Sequence, residues 1–193
     1  MYNIRFIYKL ILRTLFITIF FSVLQAKNLD KFDKASFISD YFSGLILLND
    51  NQYSKSYSFF KKLDGLENSH PNYSVKYLHS LVNLGRFNEA FNYSKKLEKI
   101  GLSNYESDLI TGIYYLKDKN YLLANRYFSN LKNYQDKSLL DDFIINSLLN
   151  WSDFNDLSLN EAKKRIDLFD PRFENLKRIQ NIFLHCFFRS SKT

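Results

Sequence analysis

Apolar side chains recur every three or four residues along most of the chain, which is the spacing of a helix that buries one face. Short polar segments such as residues 49–51 interrupt this pattern at regular intervals. The pattern therefore predicts helices joined by short turns, and it does not predict strands. The first of these runs contains Phe37, Ile38, Tyr41, Phe42, Leu45, Ile46 and Leu48.

The pattern returns with a fixed period. The stretch 85–97 carries an aromatic residue, a small residue and a leucine, and the same kinds of residue follow one another 34 positions upstream and 34 positions downstream. A fixed period of this length indicates stacked repeats. We therefore expect helix pairs at 37–70, 71–104 and 105–138.

Helix start and stop signals fall in the same frame. Pro71 suits a first helical turn, where its missing N–H costs little. Gly65 and Gly101 each follow an apolar run and can end a helix in the left-handed conformation. Ser103 and Glu106 have the spacing of a capping box, which predicts a helix start there.

The frame loosens after residue 138. The polar turn at 151–157 is longer than the earlier turns, and a second capping box, Ser158 with Glu161, follows it. We interpret 139–170 as a distorted fourth unit and 171–193 as an amphipathic helix that either caps the array or begins a further repeat, and we favour a fragment of a longer array. That helix is expected to place Phe173, Leu176, Ile179, Phe183, Leu184 and Phe187 on one face.

The register resembles the tetratricopeptide repeat family, whose unit is a helix-turn-helix of about 34 residues. The match is good where small residues let two helices approach closely. It departs from the family at Leu78, where Gly is usual, at Ser94, where an aromatic residue is usual, and at the fourth position, which lacks Trp in all three units. The expected repeat-packing residues are Gly44, Tyr53, Ser56, Phe60, Gly85, Phe87, Ala90, Gly112, Tyr121, Ala124 and Phe128.

The resemblance implies an all-α fold: a right-handed α-solenoid of stacked helix-turn-helix repeats, spanning 36–170. We expect an N-terminal signal or anchor helix to precede it. It also implies that the first helix of each pair lines a concave groove for a peptide or helix of a partner protein. The alternative is that these side chains pack against neighbouring repeats or the final helix. The groove positions are Tyr41, Leu45, Leu48, Val75, His79, Val82, Leu109, Ile113 and Leu116.

Residues 1–26 have the order of a secretory signal peptide. Basic Arg5, Lys9 and Arg13 precede an apolar run at 15–24, and Ala26 ends the segment. The run is shorter than the roughly 20 residues of a membrane span. We expect cleavage after Ala26, a linker at 27–35 and export to the periplasm; the alternative is an uncleaved inner-membrane anchor.

The net charge of +7 does not indicate nucleic-acid binding. Three of the basic residues belong to the N-terminal segment, which has no acidic residue, and the other charges are mixed in sign along the helices. Such mixing is typical of a solvated helix face. We expect a protein partner, no nucleic acid, and membrane contact only through an uncleaved N-terminal segment.

The sequence offers no constellation for catalysis or metal binding. His70, His79 and His185 are far apart, and no phosphate-binding glycine loop or hydrolase motif occurs. Cys186 is the only cysteine and lies among apolar neighbours, so we expect a buried thiol. We therefore expect no enzyme activity, no metal and no cofactor.

Together these interpretations favour a non-catalytic scaffold that binds a partner protein in its concave groove. Two alternatives stay open: a membrane-anchored structural module of the cell envelope, and the repeat portion of a larger protein whose other domain is missing.

The signal-peptide interpretation predicts a mature protein that begins at Lys27, because cleavage after Ala26 removes the apolar run. Mass spectrometry of the protein isolated from its native cells measures this terminus. A mature chain that retains residues 15–24 would favour the anchor instead.

Overall fold

The computed structural model describes residues 35–135, 138–154 and 156–190, and within these ranges the chain is all-helical with no strand. The predicted all-α class is confirmed. The expected signal helix at 1–26 lies outside the described residues, as does the linker up to residue 34. The helices are α1 (Ala35–Asn49), α2 (Tyr53–Phe60), α3 (Pro71–Asn83), α4 (Phe87–Lys99), α5 (Tyr105–Lys117), α6 (Tyr121–Asn130), α7 (Leu139–Ser152), α8 (Leu159–Asp167) and α9 (Glu174–Ser190).

The helix boundaries repeat with the period of the sequence. Helices α3, α5 and α7 begin at positions 71, 105 and 139, and helices α2, α4 and α6 begin at positions 53, 87 and 121, so both series have the same interval. Short 3-10 turns extend α2 over Lys61–Leu63 and α6 over Leu131–Asn133. The longer turn expected before α8 is present, because α7 ends at Ser152 and α8 begins at Leu159.

The turn within each of the first three pairs has the same backbone geometry. Its left-handed residue is Asn51 (φ 58°), Gly85 (φ 69°) or Lys119 (φ 58°), and these positions are separated by the same interval as the helix starts. In the second turn the Gly85 N–H donates to the Val82 carbonyl at 2.9 Å and the next N–H donates to the Leu81 carbonyl at 2.9 Å. This arrangement ends a helix and satisfies its last carbonyl groups.

Close approach within a pair depends on a missing side chain. A Cβ atom added to Gly44 would lie 2.6 Å from the Phe60 ring, and one added to Gly112 would lie 2.4 Å from the Phe128 ring. Both phenylalanines are completely buried. The second pair has the opposite order at the same two positions, with buried Leu78 on the first helix and buried Ser94 on the second. The combined volume of the two positions is thus kept while its distribution changes.

The core consists of successive clusters, because each helix packs chiefly against its neighbours in chain order. Polar contacts join consecutive pairs. The buried Glu67 carboxylate accepts from Lys96 Nζ at 2.5 Å and from the Tyr93 hydroxyl at 3.3 Å. One unit later the Tyr127 hydroxyl bonds to Glu98 at 2.9 Å.

Two predicted features of the helix ends had different outcomes. The capping box predicted at Ser103 and Glu106 lies one residue later: Asn104 caps α5, and Ser107 accepts from the Asn104 N–H at 2.9 Å. The prediction was wrong because Ser and Asn are both good caps and the sequence presents them in adjacent positions. The box at Ser158 and Glu161 is confirmed.

The end of the chain also differs from expectation. Cys186 and His185 are exposed, because they lie on the side of α9 that turns away from α8. The predicted single apolar face is divided. Leu184 and Phe187 pack with α7 and α8, whereas Leu176, Ile179, Ile182 and Phe183 are exposed. Residues 183 and 184 point in directions about 100° apart on the helix, so the packing that buries Leu184 leaves Phe183 exposed.

Asp108 is a buried carboxylate at the start of α5. It is 5% exposed and accepts from the Tyr134 hydroxyl at 2.9 Å. Burial disfavours the charged form and raises the pKa of Asp108, although hydrogen bonds from Tyr134 and Asn130 act in the opposite direction. The folded state therefore binds its proton more tightly than the unfolded state. The favourable contribution of the protonated Asp108 carboxyl to folding stability is fully present below the pKa of the unfolded state, and it is lost as the pH rises through the pKa of the folded state.

We predict that Asp108→Asn stabilises the protein at pH 7 and not at pH 3, because an amide can accept the Tyr134 bond without a buried charge. Urea unfolding midpoints at the two pH values measure this difference. Exposed Asp156→Asn is the control and should change neither midpoint. An equal gain at both pH values would contradict the titration of Asp108.

We also predict that Gly112→Leu destabilises the protein by more than about 2 kcal/mol through overpacking against Phe128, and that Phe128→Ser costs about 3–5 kcal/mol through a cavity. The double variant reproduces the Leu78 and Ser94 arrangement. Its loss of unfolding free energy should be smaller than the sum of the two single losses by at least about 1 kcal/mol. Urea unfolding measures each free energy.

The control combines Phe128→Ser with Ile113→Leu. Residue 113 neighbours Gly112 in α5 but is exposed, so this pair should show no recovery. Additive losses in the Gly112 double variant would contradict the volume argument.

Candidate functional site

Five of the nine residues expected to line a groove do lie together. Val75, His79, Val82, Leu109 and Ile113 line one open cavity of about 330 Å³ between α3 and α5. They come together because the first helices of adjacent pairs also touch each other.

A second cavity of about 360 Å³ continues the first. The two share Val82, Ile110 and Ile113, so they form one depression, which we call the α3–α5 groove. Phe87, the first residue of α4, and Tyr114 complete its wall. The Tyr114 ring stacks on Phe91 with centroids 3.8 Å apart, which fixes this wall against the preceding pair.

The groove exposes apolar surface that the rest of the fold leaves uncovered. Phe87 is 58% exposed and Ile113 is 47% exposed. Phe87 was expected to pack within its pair, and that expectation was wrong: the turn at Gly85 directs the start of α4 toward Val82 and the open groove. A Cβ atom added to Gly85 would have no neighbour within 4 Å, so the glycine is needed for its left-handed backbone and not for close packing.

Opposite charges lie at the two ends of the groove. Glu106 lines the end near the start of α5 and Lys117 lines the end near its last turn. Their eleven-residue separation corresponds to about 16 Å at about 1.5 Å per residue. Among the described residues neither side chain forms an ion pair, so both charges are available to a ligand.

The other expected groove residues do not line the α3–α5 groove. Tyr41 and Leu45 pack against the first core cluster, and Leu48 is buried within it. The Tyr41 hydroxyl lies 2.8 Å from His70 Nε2, and burial raises the pKa of Tyr41. Leu116 packs against the second cluster. The groove is therefore formed by the second and third pairs, without the first.

Sequence reasoning missed Phe87, Ile110 and Tyr114 as groove residues. The groove positions implied by the repeat family all lie on the first helices of the pairs, and they include none of these three residues. A signal for Phe87 was present, because a three-residue turn after α3 must keep it near Val82. The neighbours of Ile110 and Tyr114 depend on the angle between successive pairs, which the sequence does not state.

Comparison of the chain with protein-family models, with curated proteins and with solved structures gave no match.

The described residues hold no cluster of His, Cys, Asp or Glu suited to a metal ion. His79 in the groove lies near the Tyr53 ring, with centroids 6.2 Å apart. The adjacent carboxylates Asp141 and Asp142 do not act together. Asp141 completes the capping box of Ser138 by accepting from its N–H and hydroxyl, which lowers the pKa of Asp141. None of the helices described has the length and apolar character needed to cross a membrane.

Proposed function

We propose that this chain is a non-catalytic scaffold of tetratricopeptide-like helix pairs, stacked as a right-handed solenoid, that binds an amphipathic helix of a partner protein in the α3–α5 groove. The observation that carries the proposal is the groove itself, an open apolar depression with a charge of opposite sign at each end. Exposed contiguous apolar surface of this kind marks interaction sites.

The repeated geometry supports the stacked arrangement. Three turns with the same left-handed residue position and two series of helix starts share one period. The paired positions Gly44 with Phe60 and Gly112 with Phe128 have equivalent surroundings. Repeats that contact only their neighbours present an extended surface to a partner.

The size and charge of the groove define the ligand. A length of about 16 Å accepts about three turns of a helix at about 5.4 Å per turn. Apolar side chains spaced at three and four residues would contact Val82, Ile110 and Ile113. A basic residue of the ligand would pair with Glu106 and an acidic residue with Lys117, which sets the direction in which it lies.

Export to the periplasm is part of the proposal and rests on residues 1–26 alone. The partner would then be a protein of the cell envelope. If residues 1–26 instead remain as an inner-membrane anchor, the proposed groove and its ligand stay the same, and the anchor holds the protein at the membrane.

Photocrosslinking tests the proposal. With Ile113 replaced by benzoyl-phenylalanine, we expect illumination of native cells to trap one partner, whereas the same replacement at Leu122 should trap none. Leu122 is a suitable control because it is exposed on α6 and does not line the groove. The variant Ile113→Asp should weaken binding of the purified partner at least tenfold, and Leu122→Asp should not. Equal crosslinking at both positions, or none at Ile113, would contradict the proposal.

A further inference from the structure

A polar cavity of about 460 Å³ lies where α6, α7 and α8 meet, apart from the α3–α5 groove. Its polar lining consists of Asn125, Ser129, Lys132, Asn146, Asn150, Asp153 and Arg165. The volume falls within the roughly 300–1,000 Å³ of small-molecule sites. The cavity lies at the junction where the register of the repeats breaks.

The cavity forms because asparagine occupies positions that pack in the earlier units. Asn125 corresponds to Tyr57 and Phe91, which stack on the following pair at centroid distances of 6.0 and 3.8 Å. Asn125 instead donates to Asp153 Oδ1 at 2.6 Å. Its smaller side chain leaves open the space that an aromatic ring fills at the other junctions.

Asparagine also stands at two repeat positions of α7. Asn146 occupies the position of Gly44, Leu78 and Gly112, and Asn150 occupies that of Leu48, Val82 and Leu116. Asparagine side chains thus stand at three repeat positions, and all three line the same cavity. Departures from a chain's own packing rule are expected at functional sites.

Asn150 is kept at a cost in stability. It is 2% exposed, and its Nδ2 donates to the Ala162 carbonyl at 3.3 Å. Its buried Oδ1 accepts no hydrogen bond within the described part of the chain. An unsatisfied buried acceptor costs about 1–3 kcal/mol, and a leucine here, as at position 48, would avoid that cost.

The lining favours a neutral ligand rich in hydroxyl groups. Each asparagine offers both a donor and an acceptor, as a hydroxyl does. The charges of Asp153 and Arg165 offset each other in a direct ion pair, and Lys132, the third charged residue of the lining, also has an interaction partner, so none of the three is left free to select a charged ligand. Leu149 and Phe169 supply apolar wall. We infer that this cavity binds a neutral saccharide unit, with hydroxyls bonded to Asn146 and Asn150 and one C–H face against Leu149 and Phe169.

The test is a titration of the full chain, labelled with ¹⁵N, with glucose, N-acetylglucosamine, glucuronate and glutamate at millimolar concentrations. We expect a neutral sugar to shift the side-chain amide signals of Asn125, Asn146 and Asn150 and to saturate them, and we expect the charged probes to bind at least tenfold more weakly. Asn150→Leu should weaken sugar binding at least tenfold while raising the urea midpoint. A purely structural role would not move these two readouts in opposite directions.

Two further variants control the experiment. Ser147→Ala removes another buried hydroxyl without a partner from α7, but it does not line the cavity and should leave binding unchanged. Asn146→Ala changes an exposed residue, so it should fold normally and still weaken binding at least tenfold. The inference is overturned if no neutral sugar shifts these signals, if glucuronate or glutamate binds as well, or if Asn146→Ala and Asn150→Leu both bind like the unmodified chain.

Discussion

In the first and third pairs, a phenyl ring fills the space left by a missing side chain where the two helices of the pair cross, and the rest of the architecture depends on this contact. Gly44 faces Phe60, and Gly112 faces Phe128. Because protein interiors are close-packed, neither position can gain an atom unless the other loses volume. Leu78 and Ser94 satisfy the same constraint in reverse order. Helix pairs held this closely can share one turn geometry and one period.

The constraint also explains why the apolar surface of the protein is unevenly distributed. Each pair buries its inner faces locally, and consecutive pairs meet through stacked rings such as Phe91 on Tyr114. Side chains between the first helices of adjacent pairs, such as Val82 and Ile113, are left beside an open groove. At the last junction the ring is replaced by Asn125, and a polar cavity forms in its place. The groove therefore lies where the repeat pattern is regular, and the polar cavity lies where the pattern changes.

Five of the nine groove residues could be predicted because the resemblance to the repeat family assigns groove positions to the first helix of each pair, and these five lie together. Leu48 could not be separated from them, since its burial depends on how closely α2 approaches α1. Phe87 was assigned to packing because the family pattern places an aromatic residue there, although its side chain is exposed. The polar cavity was missed for a different reason. Each asparagine is ordinary when taken alone, and only their meeting around one space makes a site.

The sequence by itself determined the all-helical class, the period of the repeats, the turn positions and the loosened frame after residue 138, because each follows from interactions between residues near one another in the chain. Tertiary structure alone decided that Asn104 rather than Ser103 caps α5, that Cys186 is exposed, and that α9 divides its apolar residues between a packed face and an open one. Those outcomes depend on the angle and distance between helices, which arise from the packing of many side chains at once.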